Sequence, residues 1–274
     1  MNPTGHPALL ARELSRLNVS IAGLQEVRWI GSGESTVDNF KLIWSGHENH
    51  QIQGVALAIH RRFANALTFW KPLGPRLIYA RLKHSFGFLS LFVCYAPTEA
   101  ADLESKDSFY QLLNCELRHV SRHDITMILG DFNATIGSNR PDPGLEHIVG
   151  PHTSAGVNTN DNGDRMLDLC STHNFKVLGT WFQHREIHRL TWYSNTGTVA
   201  KTIDHILVSG RWRIASDCRV FRSAELGSSD HRAPAARRND SSPSTSRSLA
   251  SNFPEPTIRS IQAQRVTACP TRRG

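Results

Sequence analysis

The 274-residue chain contains no apolar run of about 18 residues, so a helical membrane span is not expected. Its first residues, MNPTGHPALL, lack the basic stretch and long apolar core that mark a secretory signal. The five cysteines, at positions 94, 115, 170, 218 and 269, show no metal-ligand spacing and leave one odd. Cys94, Cys115 and Cys170 fall within apolar patterns and read as small core fillers, which makes a reducing, intracellular compartment the expected one. No internal repeat is visible. Net positive charge is also small over most of the chain, despite an overall +7. Residues 232–274 hold eight Arg and no Lys against Asp240 and Glu255, a net of +6, which leaves +1 for the preceding 231 residues. Net charge thus gives little support for DNA binding, and any groove for a polyanion must be local.

What is present suits a globular α/β domain. Hydrophobic residues make up 39% of the chain, with six Trp, enough for a sizeable core. Leu10, Leu14 and Leu17 recur at helical spacing over 8–18, and a short buried strand over 19–24 ends at Gln25-Glu26. FKLIWSG and GVALAIHRRF read as strands, and residues 77–83 and 86–95 as a hairpin that stops at Tyr95-Ala96-Pro97. Residues 102–120 carry an amphipathic helical pattern. The run from Ile125 to Leu129 reads as a strand buried on both faces, ending in Gly130-Asp131-Phe132-Asn133. Residues 138–161, rich in Gly, Pro, Asn and Asp, read as a long loop, and 163–173 as a helix. VLGTWF, LTWYS and TIDHILVS follow as strands, with another short one expected near Arg219 to Arg222. Beyond His231 the periodic apolar pattern ends. The domain is therefore expected over 1–231, with a basic, Ser-, Pro- and Arg-rich disordered tail over 232–274.

The strand exits carry the chemistry. In chain order they hold Glu26, Tyr95, Asp131 with Asn133, Asp204 with His205, and Asp230 with His231. If the extended backbone continues past Asp131, strand periodicity puts Asp131 and Asn133 on one side. Exits meeting at one sheet edge would gather carboxylates, an amide, a phenol and an imidazole. That inventory suits phosphodiester hydrolysis with a hard divalent ion, and a carboxylate beside a His would fix its tautomer.

LQEVRW, CYAPT, LGDFNA, TIDHILV and SSDH occur in the order and with roughly the spacing of the endonuclease/exonuclease/phosphatase superfamily. The sequence most resembles the endonuclease domain of RTE-type non-LTR retrotransposons, over about Leu9 to Arg232. The resemblance implies a four-layer α-β-β-α sandwich of two packed mixed sheets and a Mg²⁺-dependent endonuclease, Mn²⁺ being the alternative ion. The implied metal set is Glu26, Asp131, Asn133, Asp230 and His231. The implied catalytic set is Tyr95, Asp131, Asn133, Asp204 and His231, with His231 paired to Asp204. Asn162 and Trp192 match positions lining the DNA groove, although a Trp is more often a core aromatic than a DNA contact. His205 matches no catalytic position. The implied partner is DNA, nicked in the nucleus by a monomer, with a reverse transcriptase from another polypeptide using the 3′-hydroxyl.

The chain departs from the family at both ends. It begins at the segment after the family's first strand, and Ala233 to Arg238 stands where an apolar closing strand belongs. The first and last strands are thus expected to be missing and activity weakened or lost. Competing readings are a catalytically dead binding domain, a retroelement remnant, or a phosphatase of small phosphate esters.

Overall fold

The computed structural model describes residues 5–137, 143–154, 157–194, 196–212, 215–221, 233–238 and 258–262. Helix α1 (Gly5–Arg16) leads into β1 (Ile21–Gln25), β2 (Ser32–Val37), β3 (Phe40–Ser45) and β4 (Val55–His60). A single helical turn, α2 (Arg61–Ala64), precedes β5 (Leu67–Pro72), β6 (Leu77–His84) and β7 (Gly87–Tyr95). Then follow α3 (Leu103–Arg118), β8 (Ile125–Asp131), α4 (Asp161–His173) and β9 (Phe175–Val177). The short hairpin β10 (Trp192–Tyr193) and β11 (Ala200–Lys201) leads to β12 (Asp204–Ser209), β13 (Ala215–Phe221), β14 (Ala233–Arg238) and β15 (Ile258–Gln262). Among the described residues no helix is long and apolar enough to cross a membrane.

Two mixed sheets form the body, ordered β13-β14-β15-β1-β4-β3-β2 and β5-β6-β7-β8-β12-β9. Side-chain alternation explains why they stack in four layers. On β4, Val55, Leu57 and Ile59 face the second sheet, while Ala56 and Ala58 face α1. On β7, β8 and β12, Val93, Leu129 and Ile206 point between the sheets. Their neighbours Phe92, Ile128 and Leu207 meet residues of α3 and α4 such as Leu113 and Met166. Each central strand is therefore apolar on both faces, as the Ile125–Leu129 run foretells. Gly23 lets the sheets close here, since a Cβ on it would lie 3.0 Å from the Leu129 Cβ.

Several expectations are corrected. β2, β5 and β11 escape sequence reading because they lie at sheet edges or in a two-stranded ribbon, where polar residues such as Glu34, Lys71 and Lys201 are tolerated. VLGTWF is strand only to Val177, then turns into a 3-10 helix over Leu178–Thr180. Cys115 is exposed rather than a core filler. The closing strand expected to be missing after His231 exists as β14, antiparallel to β13. Its sequence, APAARR, has weak strand propensity, so pairing within the sheet decides it. β15 also lies in the segment read as a disordered tail. It runs parallel to β1 over five residue pairs and adjoins β14, filling the place beside β1.

A buried ion pair ties the second sheet to α3's exit. Asp124, with a side chain 2% exposed, accepts both Arg81 Nε (2.7 Å) and Nη2 (2.9 Å), plus Ser90 Oγ (2.8 Å). Burial alone would raise its carboxyl pKa, but the hydrogen bonds and charge of Arg81, with Ser90, outweigh it and hold it below the ordinary value. This group stabilises the fold above the unfolded carboxyl pKa near 3.9, and the contribution is lost as pH falls through the folded value. Asp124→Asn should cost about 1–2 kcal/mol at neutral pH, the Arg81 side being partly solvated. In urea unfolding between pH 7 and pH 3, the gap between variant and parent should shrink toward the acid end. A gap independent of pH would contradict this role.

Candidate active site

The strand register builds one end of the site. Tyr95 on β7 pairs with Asp131 on β8, which pairs with Asp204 on β12, so the three stand in one row across neighbouring strands. They share the alternation of Val93, Leu129 and Ile206, which places them at the mouth of the space between the sheets. Gly130 is required in the adjacent row, between Cys94 and His205, because a Cβ there would collide with the sulphur and carbonyl of Cys94. Asp131 and Asp204 are 2% and 3% exposed.

Glu26 reaches the row from the other sheet. Its Oε1 accepts the Tyr95 hydroxyl at 2.8 Å and its Oε2 accepts Arg28 Nη2 at 2.9 Å. Glu26 (φ 52°) and Arg28 (φ 55°) both take the left-handed conformation around the fully buried Val27. Backbone bonds from Val27 N to Gly54 O and from Arg28 N to Gln53 O hold them there. Two such non-glycine residues cost on the order of 1–3 kcal/mol each, and such outliers concentrate at functional sites. Burial first, then the Glu26 charge and hydrogen bond, push the Tyr95 phenol well above its ordinary pKa. Tyr95 is therefore a proton-bearing donor at all physiological pH values.

Asn133 corrects the extended-backbone expectation. It has φ 49°, and its N–H donates to Asp131 Oδ1 at 2.9 Å, so the chain turns immediately after the strand. Its side-chain amide donates to the Ala96 carbonyl at 3.1 Å, and its own carbonyl accepts Asn160 Nδ2. Asn160 caps α4 by accepting Gly163 N, and it also accepts Thr135 N. The exits of β7 and β8 are thus pinned to the start of α4. Asn162, expected to line a groove, is fully buried, and its Nδ2 donates to the Pro97 carbonyl at 3.0 Å. Trp192 is half-buried on β10 and paired with Lys201, next to Thr191, whose Oγ1 accepts the Asp204 N–H at 3.1 Å. His205 is buried and hydrogen-bonds the Ala134 carbonyl at 2.8 Å, with burial lowering its pKa, in keeping with a structural role. Asp230 and His231 lie outside the described residues.

Arg76 is the site residue that sequence reading missed. Its guanidinium lies 5.0 Å from the Tyr95 ring centroid, and Nη1 donates to the carbonyls of Tyr95 and Ala96. Burial opposes its charge, while Tyr95, Asp131 and Glu26 favour it. Its only sequence signal is a position immediately before β6, level with the Tyr95 exit.

Glu26 and Asp131 carry hard carboxylate oxygens of the kind a divalent cation takes, and Mg²⁺ usually binds one or two carboxylates with water and substrate phosphate completing its shell. Among the described residues no three or more His, Cys, Asp or Glu side chains close a metal cage.

Two stacked mixed sheets with outer helices and an acidic row at one edge define an α-β-β-α sandwich. Residues 2–231 match the Endonuclease/Exonuclease/phosphatase family, and the chain belongs to it. Craniofacial development protein 2 of Bos taurus is 30% identical over 232 residues, covering 85% of this chain and 38% of that protein. The Tragulus javanicus protein of the same name is also 30% identical over 232 residues, covering 39% of its length. The chain thus spans about two fifths of the length of these curated relatives. The endonuclease domain of TRAS1, a telomere-specific non-LTR retrotransposon, shares the fold with a TM-score of 0.56 and 14% identity. The match covers 84% of this chain and 91% of that domain.

Proposed function

We propose that this chain is a Mg²⁺-dependent endonuclease that nicks DNA by hydrolysing a phosphodiester. The observation that carries the reading is the registered row Tyr95-Asp131-Asp204, joined by Glu26 through the Tyr95 hydroxyl. Glu26 would be the principal ligand of a metal ion, with Asp131, Asn133, Asp230 and His231 completing its surroundings. Such an ion supplies charge neutralisation at the phosphate. The chain's own groups do the rest. Asp131 orients and deprotonates the attacking water, and the Tyr95 hydroxyl, turning its one proton away from Glu26 Oε1, supports a phosphate oxygen. Asp204 fixes the tautomer of His231, which serves in proton transfer at the phosphate. Arg76 holds the Tyr95 exit and adds fixed positive charge beside the row. Trp192 offers a half-exposed aromatic face to nucleic acid, while Asn162 acts by bracing Pro97.

DNA is the proposed partner and the nucleus the place of action, with a reverse transcriptase on a separate polypeptide extending the nick. The test compares supercoiled plasmid with a soluble inositol phosphate, each with Mg²⁺ and with EDTA. Conversion of plasmid to open circles only with Mg²⁺, alongside no phosphate release, is the expected result. Phosphate release without nicking would make the chain a small-ester phosphatase. DNA retention in EDTA without turnover of either substrate would make it a binding domain.

A further inference from the structure

Beside the row, and sharing Asp204 with it, lies a cavity of about 70 Å³ walled by the 152–154 loop, the segment 186–191, β11 and β13. A single water needs roughly 10–15 Å³, so the space is large enough for a tetrahedral anion together with water. Its lining includes Arg189, Lys201 and Arg219 with His152 and His188, against the carboxylates of Glu186 and Asp204. Arg219 Nε also lies 3.5 Å from Asp217 Oδ2, so Arg189 and Lys201 are the cations of the cleft outside any ion pair seen among the described residues.

The walls are tied together rather than loosely apposed. Arg189 Nη1 donates to the Thr153 carbonyl at 2.9 Å, and Thr202 Oγ1 donates to the Arg189 carbonyl at 2.9 Å. Thr191 N donates to the Lys201 carbonyl, and Thr191 Oγ1 accepts the N–H groups of Ile203 and Asp204. These bonds couple the basic wall to the strand exit that carries Asp204. Arg189 Nε is buried and has no hydrogen-bond partner among the described residues. A buried guanidinium N–H without an acceptor is costly, and a phosphate oxygen would satisfy it.

We propose that this cavity is a second phosphate subsite. It would take a phosphate of the same nucleic-acid strand whose neighbouring diester lies at the Tyr95-Asp131-Asp204 row. The proposal rests on the nucleic-acid reading above and does not require cleavage. Arg189 supplies the buried donor, Lys201 and Arg219 the long-range attraction, and the shared Asp204 wall sets the register between the two phosphates.

The test measures anisotropy of a fluorescent 12-nucleotide DNA strand with the full chain in EDTA, across a salt series. Arg189→Gln combined with Lys201→Gln should weaken binding about tenfold at low salt and reduce the slope of log K against log salt by about 1. Lys201→Gln alone, on an exposed side chain, should move both in the same direction should the double variant prove unstable. Lys83→Gln, at the far end of β6, should leave the slope unchanged. Equal affinity and slope for parent, single and double variants would overturn the subsite. A wild-type chain that binds through these residues yet never nicks plasmid would refute the cleavage reading and leave the subsite standing.

Discussion

Glu26→Gln is expected to lower Mg²⁺-dependent nicking by on the order of 10²-fold or more, corresponding to loss of a charge-neutralising ion worth several kcal/mol. The substitution keeps the side chain's size and one oxygen, so the fold should persist. The geometry gives two reasons for expecting a large effect. Both carboxylate oxygens accept strong donors, Tyr95 at 2.8 Å and Arg28 at 2.9 Å. The residue also stands in a left-handed backbone that ordinary packing has no need of. If Glu26 merely paired with Arg28, whose side chain is 41% exposed, its loss would be worth no more than about 1 kcal/mol of stability. Activity would then be unaltered. Mg²⁺ titration of the nicking rate separates the two, because a ligand change shifts the metal dependence and a surface pair does not.

The second large effect concerns β15. Ser260 pairs with Gly23 in the parallel ladder that joins β15 to β1, in the interior of the seven-stranded sheet. Proline has no N–H and is excluded from central strands. Ser260→Pro should therefore cost about 2–4 kcal/mol through a lost ladder bond and strain. In a domain of this size that lowers Tm by roughly 5–15 °C. Because β1 leads directly to Gln25 and Glu26, loosening it should also disturb the site. Calorimetry of parent and variant checks this, and an unchanged Tm would show that β15 does not complete the sheet.

The parts legible in sequence were those where local pattern and tertiary environment agree. The runs ending at Glu26, Tyr95 and Asp131, and the run that begins at Asp204, are apolar on both faces, so they read as buried strands with polar ends. The stacking of those exits into one row follows from register, which no single strand reveals. Asn133 defeated strand periodicity because the Asp131 carboxylate captures its N–H and turns the chain. Asn162 reads as a groove residue, yet it is fully buried and its Nδ2 donates to the Pro97 carbonyl. Arg76 went unread because its partners are backbone carbonyls 19 and 20 residues away. β14 and β15 have compositions typical of loops, and only neighbouring strands give them a reason to extend.

The most direct measurement is the nicking rate of wild-type protein beside Asp131→Asn on one supercoiled plasmid, at saturating Mg²⁺. Asp131 is central in the row, and Asn preserves an oxygen to accept the Asn133 N–H while removing the charge that activates water. The wild type should accumulate open circles at a rate at least about 10³-fold above the variant, with melting temperatures alike. Equal rates for the two proteins would show that cleavage, if any, does not occur at this site.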